Sequence, residues 1–470
     1  MVFSSIPFLF FFFPTFLLCY FILPKQCRNY VLLFFSLLFY AWGEPIYVFL
    51  MIAVTLSDYL LGRLMHKLNE NRTGRRLCLI GSLCIDLAAL GFFKYADFLT
   101  GSVNKLFGTS IPLLKLALPI GISFFVFQSL SYTIDLYRRE VTVEKSYLHY
   151  LMYVSLFPQL IAGPIVRFQT VQDELHHRIL SKDEFFSGGM RFLLGLFKKV
   201  LLANQLGLLW ETAKAIPTEE LGFVMAWLGA IAFTLQLYLD FSAYSDMAIG
   251  LGQMLGFHFM ENFNYPLIAD SVTDFWRRWH ISLSTWFRDY VYIPLGGNRC
   301  SKGRHLFNIG IVWFLTGMWH GASWNYILWG VYYGLLLCLE KFIWGKALKK
   351  CPSVLRHLYL VFIVIVGFTI FAIEDLGAAF SYLGVMFLSN GITGGSDLAF
   401  YLQNYGVVLF FASLASIPTA SWLKKKTELL KGFAGSFVQS VKTLAFLALF
   451  IVTIACLVAD TYNPFLYFRF

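Results

Sequence analysis

Apolar runs near residues 6–22, 30–42, 46–61, 77–93, 112–136, 190–210, 221–251, 357–375, 400–421 and 437–459 alternate with short basic stretches. The basic stretches fall at Lys25/Arg28, Arg63 to Arg76, Arg138 to Lys145, Arg167 to Lys199, Arg277 to Arg304, Lys341 to Arg356, and Lys424 to Lys431. A helix crossing a bilayer needs about 20 apolar residues. In lipid every backbone polar group must be satisfied within the protein, which helices do by themselves. The pattern therefore predicts an all-α polytopic membrane protein with ten to twelve transmembrane helices. Basic loops mark the cytoplasmic side, and alternating sides through the runs puts both termini outside. The run 6–22 has no basic residue before its apolar core and no small-residue cleavage pattern after it. It reads as a first membrane helix, not a cleaved signal.

Three elements break this regularity. The run 30–42 is short for a span, roughly 20 Å long, and leads into Gly43-Glu44-Pro45, a hairpin tip. The stretch 148–166 holds Pro158, Gly163 and Pro164 inside apolar sequence. Such breaks are tolerated at membrane depth only inside protein or beside a watery cavity. The stretch 306–344 reads as two apolar arms joined at Gly317-Met318-Trp319-His320-Gly321. Both flanks are basic, so both arms begin and end on the cytoplasmic side, with His320 at the tip of an inserted hairpin. No long linker, low-complexity segment or repeat divides the chain, and residues 1–470 read as one membrane domain.

Composition sharpens the picture. Of 470 residues, 58% are hydrophobic and 14% charged, against about 45–50% and about 25% in soluble domains. The excess runs along the whole chain, which excludes a soluble enzyme with a single anchor. The net charge of +10 sits in the short loops, so membrane topology accounts for it better than nucleic-acid binding. The eight cysteines form no CxxC pair. They read as small packing residues, with no disulfide framework and no metal site.

Candidate chemistry is sparse. His320 is an ionisable group at membrane depth, a costly placement that usually faces a cavity. A neutral imidazole there can act as a general base, although a histidine hydrogen-bonded between helices would look the same. Gly317 and Gly321 would let the backbone bend, with Trp319 and Trp324 walling the pocket. In the stretch 274–286, Trp276, Trp279, Leu283 and Trp286, followed by Tyr290, recur at helical spacing. Ser271 with Asp274 resembles a capping box that starts this helix. Arg277, Arg278 and Arg288 suit a cytoplasmic interface, and an amphipathic surface helix is the plain reading. His280 shares the face of Trp276 and Leu283 and should point inward. Asp240 and Asp246 lie near the end of a long span. Buried carboxylates need partners, and pairing with an Arg or Tyr of a neighbouring helix is the structural alternative to catalysis. The tail, residues 460–470, falls outside the cell by the charge reading and suits an aromatic anchor.

Read together, several stretches resemble a known family. They are Phe157-Pro-Gln-Leu-Ile-Ala-Gly-Pro164-Ile-Val-Arg167; Asp240-Phe-Ser-Ala-Tyr-Ser-Asp246-Met-Ala-Ile-Gly250; Glu261-Asn-Phe-Asn-Tyr-Pro266, running on through 274–286 to Arg299; and Gly317-Met-Trp-His320-Gly321-Ala. In that order they resemble the bacterial membrane-bound O-acyltransferases (MBOAT), especially the branch that O-acetylates alginate, peptidoglycan and other envelope polysaccharides. The resemblance implies a ring of tilted helices, with re-entrant and interfacial elements, around a thin centre with a central funnel. It implies a histidine pair at His280 and His320, the second catalytic. The tail Phe465-Leu-Tyr467-Phe-Arg-Phe470 is similar to an acyl-relay motif in which Tyr467 would accept the acyl group outside. A phenol, with a pKa of about 10, leaves more readily than a sugar hydroxyl, so thioester to aryl ester to sugar ester runs downhill.

What the resemblance implies is a thioester donor, acetyl-CoA in the first instance, with no resident cofactor. Arg277, Arg278 and Arg288 would attract its phosphates, and His280 would orient the donor or help the thiolate leave. The partners implied are an extracellular or membrane-anchored esterase-like protein and an envelope polysaccharide, in a bacterial cytoplasmic membrane. Two rivals remain. A D-alanyl transferase for teichoic acids would use a carrier-protein thioester. A transporter or lipid-linked sugar flippase would also carry many broken helices, but often shows repeated halves.

Overall fold

The structure, a computed structural model, describes residues 1–391, 398–428, 432–459 and 465–466. Those residues are helical apart from turns and short extended connections. Among the described residues eight helices are long and apolar enough to cross a membrane: Tyr47–Lys67, Arg72–Phe107, Lys182–Ala215, Phe223–Met254, Trp324–Leu348, Ser353–Ala372, Leu398–Ala415 and Gly435–Ala459. That is fewer than the ten to twelve passes expected. The run 6–22 becomes a shorter apolar helix, Phe8–Ile22. The run 30–42 forms the 16-residue helix Arg28–Gly43. The run 112–136 is helical only from Ile122 to Arg138. Its first part holds Pro112 and Pro119 and is not helical. Proline lacks the amide hydrogen a helix needs, and the Asp97 carboxylate takes the amides of Leu114 and Lys115 instead. A further apolar helix, Leu376–Met386, was not expected.

The chain gathers into two compact units interleaved in sequence. One comprises Met1–Phe192, Met247–Glu261 and Thr285–Val291; the other Leu193–Asp246, Asn262–Ser284 and Tyr292–Phe470.

In the first unit the helix Tyr147–Ser155 stops before the Pro158–Pro164 break and helix resumes at Phe168. Residues 150–166 are all buried, so this non-helical backbone must find its partners in protein. Ser36 Oγ accepts from the amide of Phe157, Gln159 Nε2 donates to the carbonyl of Tyr153, and the Tyr153 hydroxyl donates to that of Val166. The Phe157 ring seats among Phe12, Phe16 and Phe39, with centroids 5.2–5.7 Å away.

In the second unit, helices Lys302–His320 and Trp324–Leu339 pack side by side as the expected hairpin. Close packing of its arms needs glycine. A Cβ on Gly317 would collide with the Tyr326 carbonyl, and one on Gly330 with the Trp313 carbonyl. Gly317 is therefore a contact point within a helix, not the bend expected of it. Asn325 Nδ2 donates to the carbonyls of Phe371 and Ile370, tying the hairpin tip to helix Ser353–Ala372.

Candidate active site

The stretch expected to form one helix over 274–286 is broken at His280. Helix Val272–Arg278 ends there and Ile281–Phe287 begins. The break has a cause in the segment that precedes it. Asn262 O accepts from the amide of Ile281, and the amide of Asn264 donates to Arg278 O. These bonds draw the backbone out of the helical ladder. His280 takes φ +44°, the left-handed region, which costs a non-glycine residue about 1–2 kcal/mol. Strain of this kind concentrates at functional sites.

The start of the segment is as expected: Ser271 Oγ accepts from the amide of Asp274. A second cap was not legible. The buried carboxylate of Glu340 accepts from the amides of Val272 and Thr273 at 2.7 and 3.0 Å and from the Thr273 hydroxyl at 2.8 Å. Negative charge at a helix N-terminus satisfies its free amides and its dipole together. The helix is also held to the hairpin through Trp276, whose ring meets Trp313, Trp329 and Tyr333 at 4.7–5.4 Å.

His280 points inward, as expected, and is 1% exposed. Asn262, wholly buried, organises it. Asn262 Oδ1 lies 3.2 Å from the Ser282 amide, 2.9 Å from Ser282 Oγ and 3.2 Å from His280 Nδ1. Asn262 Nδ2 donates to Ser245 Oγ. A backbone amide can only donate, so the asparagine atom facing it is the oxygen. That oxygen requires a proton on His280 Nδ1, which makes Nε2 the acceptor nitrogen. Burial pushes the His280 pKa down to about 3, so the ring is neutral in the physiological range.

His320 closes the first hairpin arm and is 6% exposed. Its ring meets Trp329 at 4.9 Å, Phe371 at 5.2 Å and Trp319 at 5.0 Å. The Trp319 ring lies 5.7 Å from that of His280, so the two histidines flank one indole. Trp324, expected to wall the pocket, is 54% exposed; Trp329 and Phe371 do so instead. Gly321 has an extended backbone at φ −174°, and its need is for space, since a Cβ there would strike the Tyr326 ring.

The two aspartates pair with lysines, not with the Arg or Tyr expected. Residues Lys198–Ala203 form a π-helical turn. Lys199 Nζ meets Asp240 Oδ1 at 2.7 Å, both buried, and Lys198 pairs with Asp246. Asp240 does more. Its other oxygen accepts from the amide of Leu466 at 2.8 Å. Phe465 is buried against Tyr244 at 4.7 Å and Phe241 at 6.4 Å. Phe241 in turn stands edge-on to His280 at 4.7 Å. Tyr467 lies outside the described residues.

The arginines separate. Arg278 pairs with Asp274, and Arg277 is exposed. Arg288 belongs to the first unit, where it pairs with Asp289. The cysteines are unbridged. Among the described residues one trio, Glu144, His149 and His176, brings three metal-type donor atoms within 4.8 Å. Glu144 there already accepts from His176 Nε2 and the Ser146 amide, a hydrogen-bonded clamp in the first unit.

The described residues thus form a many-helix membrane protein with two buried histidines around one tryptophan. The model of the membrane-bound O-acyltransferase family matches residues 9–376. The chain is 39% identical to a probable alginate O-acetylase of Azotobacter vinelandii over all of both chains. It is 30% identical to a peptidoglycan O-acetyltransferase of Helicobacter pylori, over all of this chain and 98% of that one. A teichoic acid D-alanyltransferase of Bacillus subtilis is 31% identical over 50% of this chain and 62% of its own. The chain belongs to the membrane-bound O-acyltransferase family. It is a multi-pass membrane enzyme, an O-acyltransferase related to polysaccharide O-acetylases, which sets aside the transporter reading.

Proposed function

We propose that this enzyme takes an acetyl group from a cytoplasmic thioester and delivers it across a bacterial cytoplasmic membrane for O-acetylation of an exported or envelope polysaccharide, with Tyr467 as the relay. The observation that supports this most is the docked tail. Phe465 and Leu466 are held by Asp240 and by the aromatic wall that ends at His280, and Tyr467 is the next residue of the chain.

In the first step the Tyr467 hydroxyl oxygen attacks the thioester carbonyl carbon. His320 takes the phenolic proton as general base. The carbon–sulfur bond breaks, and the proton passes to the departing thiolate, leaving a free thiol and an acetyl-tyrosine. His280, with its lone pair on Nε2, accepts a hydrogen bond from the incoming hydroxyl or from an N–H of the donor and fixes its approach. In the second step a sugar hydroxyl, brought by an esterase-like partner, attacks the aryl ester, and the phenol leaves with its proton restored. The full-length likeness to proteins named for alginate and peptidoglycan acetylation supports the acceptor class. The half-length likeness to D-alanyltransferases keeps a carrier-protein thioester as the second donor to try.

The test is acyl transfer by purified His320→Ala and His280→Ala proteins. A correctly folded His320→Ala protein with undiminished transfer would sink the assignment. Loss with acetyl-CoA but transfer from a D-alanyl carrier thioester would favour the second donor.

A further inference from the structure

Two of the basic stretches that mark the cytoplasmic side, Arg63 to Arg76 and Arg138 to Lys145, meet around one cavity in the first unit. We propose that this cavity holds the phosphodiester headgroup of an anionic phospholipid of the inner leaflet. Its volume is about 580 Å³, within the range of roughly 300–1,000 Å³ typical of small-molecule sites. The histidine pair belongs to the second unit, so a lipid site here stands or falls independently of the acyl-transfer chemistry. Its depth fits a headgroup. Helices Tyr47–Lys67 and Ile122–Arg138 end at the cavity and helix Arg72–Phe107 begins there. The first and last of these in chain order around the 68–71 turn, Tyr47–Lys67 and Arg72–Phe107, are long and apolar enough to span. Their shared end therefore lies at the membrane boundary, where lipid phosphates lie. Basic pockets between membrane helices on this side bind anionic headgroups.

The charge of the lining is one-sided. His66, Arg75, Arg139 and Lys145 line the cavity, and among the described residues no Asp or Glu does. Arg75 is the anchor. It is 8% exposed, and its Nη2 donates to the carbonyls of Leu136 and Tyr137 at 3.3 and 2.7 Å. Those bonds cap the negative end of helix Ile122–Arg138 with a cation, but they use only part of the guanidinium. Its Nε is buried and has no hydrogen-bond partner among the described residues, whereas buried donors are normally paired. An oxygen of a bound phosphate supplies that partner, and the planar guanidinium fork suits it. Arg139 Nη2 donates to the carbonyl of Asn69 at 3.2 Å. This bond ties the loop after helix Ile122–Arg138 to the turn after helix Tyr47–Lys67, and so holds the two basic stretches together.

The rest of the lining selects the class of phosphate. Met65, Leu136 and Val141 are buried and line the same cavity. Inorganic phosphate has nothing to place against them. A phospholipid brings its glycerol and the first methylenes of its acyl chains directly beside the phosphate, and the apolar side chains receive these while the cations receive the charge.

The experiment titrates the purified full-length protein, in a neutral detergent, with dioleoyl-phosphatidylglycerol or dioleoyl-phosphatidylcholine. Bound lipid is counted by native mass spectrometry, with size-exclusion chromatography to confirm folding. One phosphatidylglycerol should be retained under conditions that strip phosphatidylcholine. Each basic side chain beside an anionic headgroup contributes about fivefold to binding, so Arg139→Gln with Lys145→Gln should weaken retention by about 25-fold. The control pair Arg72→Gln with Arg76→Gln removes two exposed charges from the same side but outside the cavity lining, and should weaken it far less. Should the first pair disturb folding, Lys145→Gln alone, at an exposed side chain, should still give the fivefold loss. Equal retention of the two lipids would overturn the proposal. Equal losses in the two double variants would also overturn it, because the attraction would then belong to the whole basic surface. Displacement of phosphatidylglycerol by equimolar inorganic phosphate would do the same, because the ligand would then be a free anion.

Discussion

Replacing Asn262 should damage catalysis as well as stability, because its oxygen sets the tautomer of His280. In Asn262→Ala the Ser282 amide and the Nδ1–H of His280 lose their common acceptor. Each buried donor left unsatisfied costs about 1–3 kcal/mol. The Ser282 hydroxyl can rotate to serve one of them, so a net loss of about 2–4 kcal/mol is expected. The catalytic loss has another source: without Oδ1, the proton can sit on either ring nitrogen, and Nε2 is no longer a reliable acceptor. Misplacing a positioning group can cost about 10²-fold in rate, so kcat should fall by about that factor.

Asn262→Asp separates this from simple damage. It keeps an acceptor but puts a negative charge beside His280, which favours the imidazolium and raises its pKa from about 3. His280 would then protonate as pH falls through the new value, and activity should acquire an acid limb that the wild type lacks in the same window. The assay is acyl transfer across a pH series, with thermal unfolding alongside. A folded Asn262→Ala protein with wild-type kcat, or an Asn262→Asp protein with the wild-type pH profile, would refute the tautomer argument.

Other outcomes follow from the same contacts. Gly317→Ala drives a methyl into the Tyr326 carbonyl and should cost about 1–3 kcal/mol by overpacking, with activity lost although His320 is intact; unfolding and transfer assays on one preparation test this. Asp240→Asn removes the charge facing Lys199 and should cost about 3–5 kcal/mol. Adding Lys199→Met should restore much of the stability but not acylation, if Asp240 also docks the tail. His258 is held protonated by Glu174 and Glu184, which raise its pKa. Its stabilisation is complete below the ordinary histidine value of about 6.5 and fades as pH rises through the raised folded value. The melting difference between wild type and His258→Gln should therefore shrink toward alkaline pH.

The sequence carried the large features because they rest on composition and on rules of long range. Basic flanks and the 317–321 glycines sufficed to put His320 at a hairpin tip, and the Pro158–Pro164 break was visible as proline and glycine in apolar sequence. What escaped were interactions between segments far apart in the chain. Asn262 sits in a non-helical strip 18 residues before His280, and nothing in helical periodicity marks it. Helical spacing over 274–286 was real, yet two backbone bonds to that strip outweighed it at His280. The lysine partners of Asp240 and Asp246 were hidden by a π-helical turn, which turns Lys198 and Lys199 toward carboxylates more than 40 positions away. Nothing in the sequence marked Glu340, since its role depends on a helix start 68 residues earlier.

The most direct test of the relay is to incubate the purified protein with isotopically labelled acetyl-CoA and locate the label by intact and peptide mass spectrometry. One acetyl group is expected on Tyr467, absent from Tyr467→Phe and absent from His320→Ala. Label on another residue, or acetyl transfer to acceptor by a Tyr467→Phe protein at the wild-type rate, would contradict it.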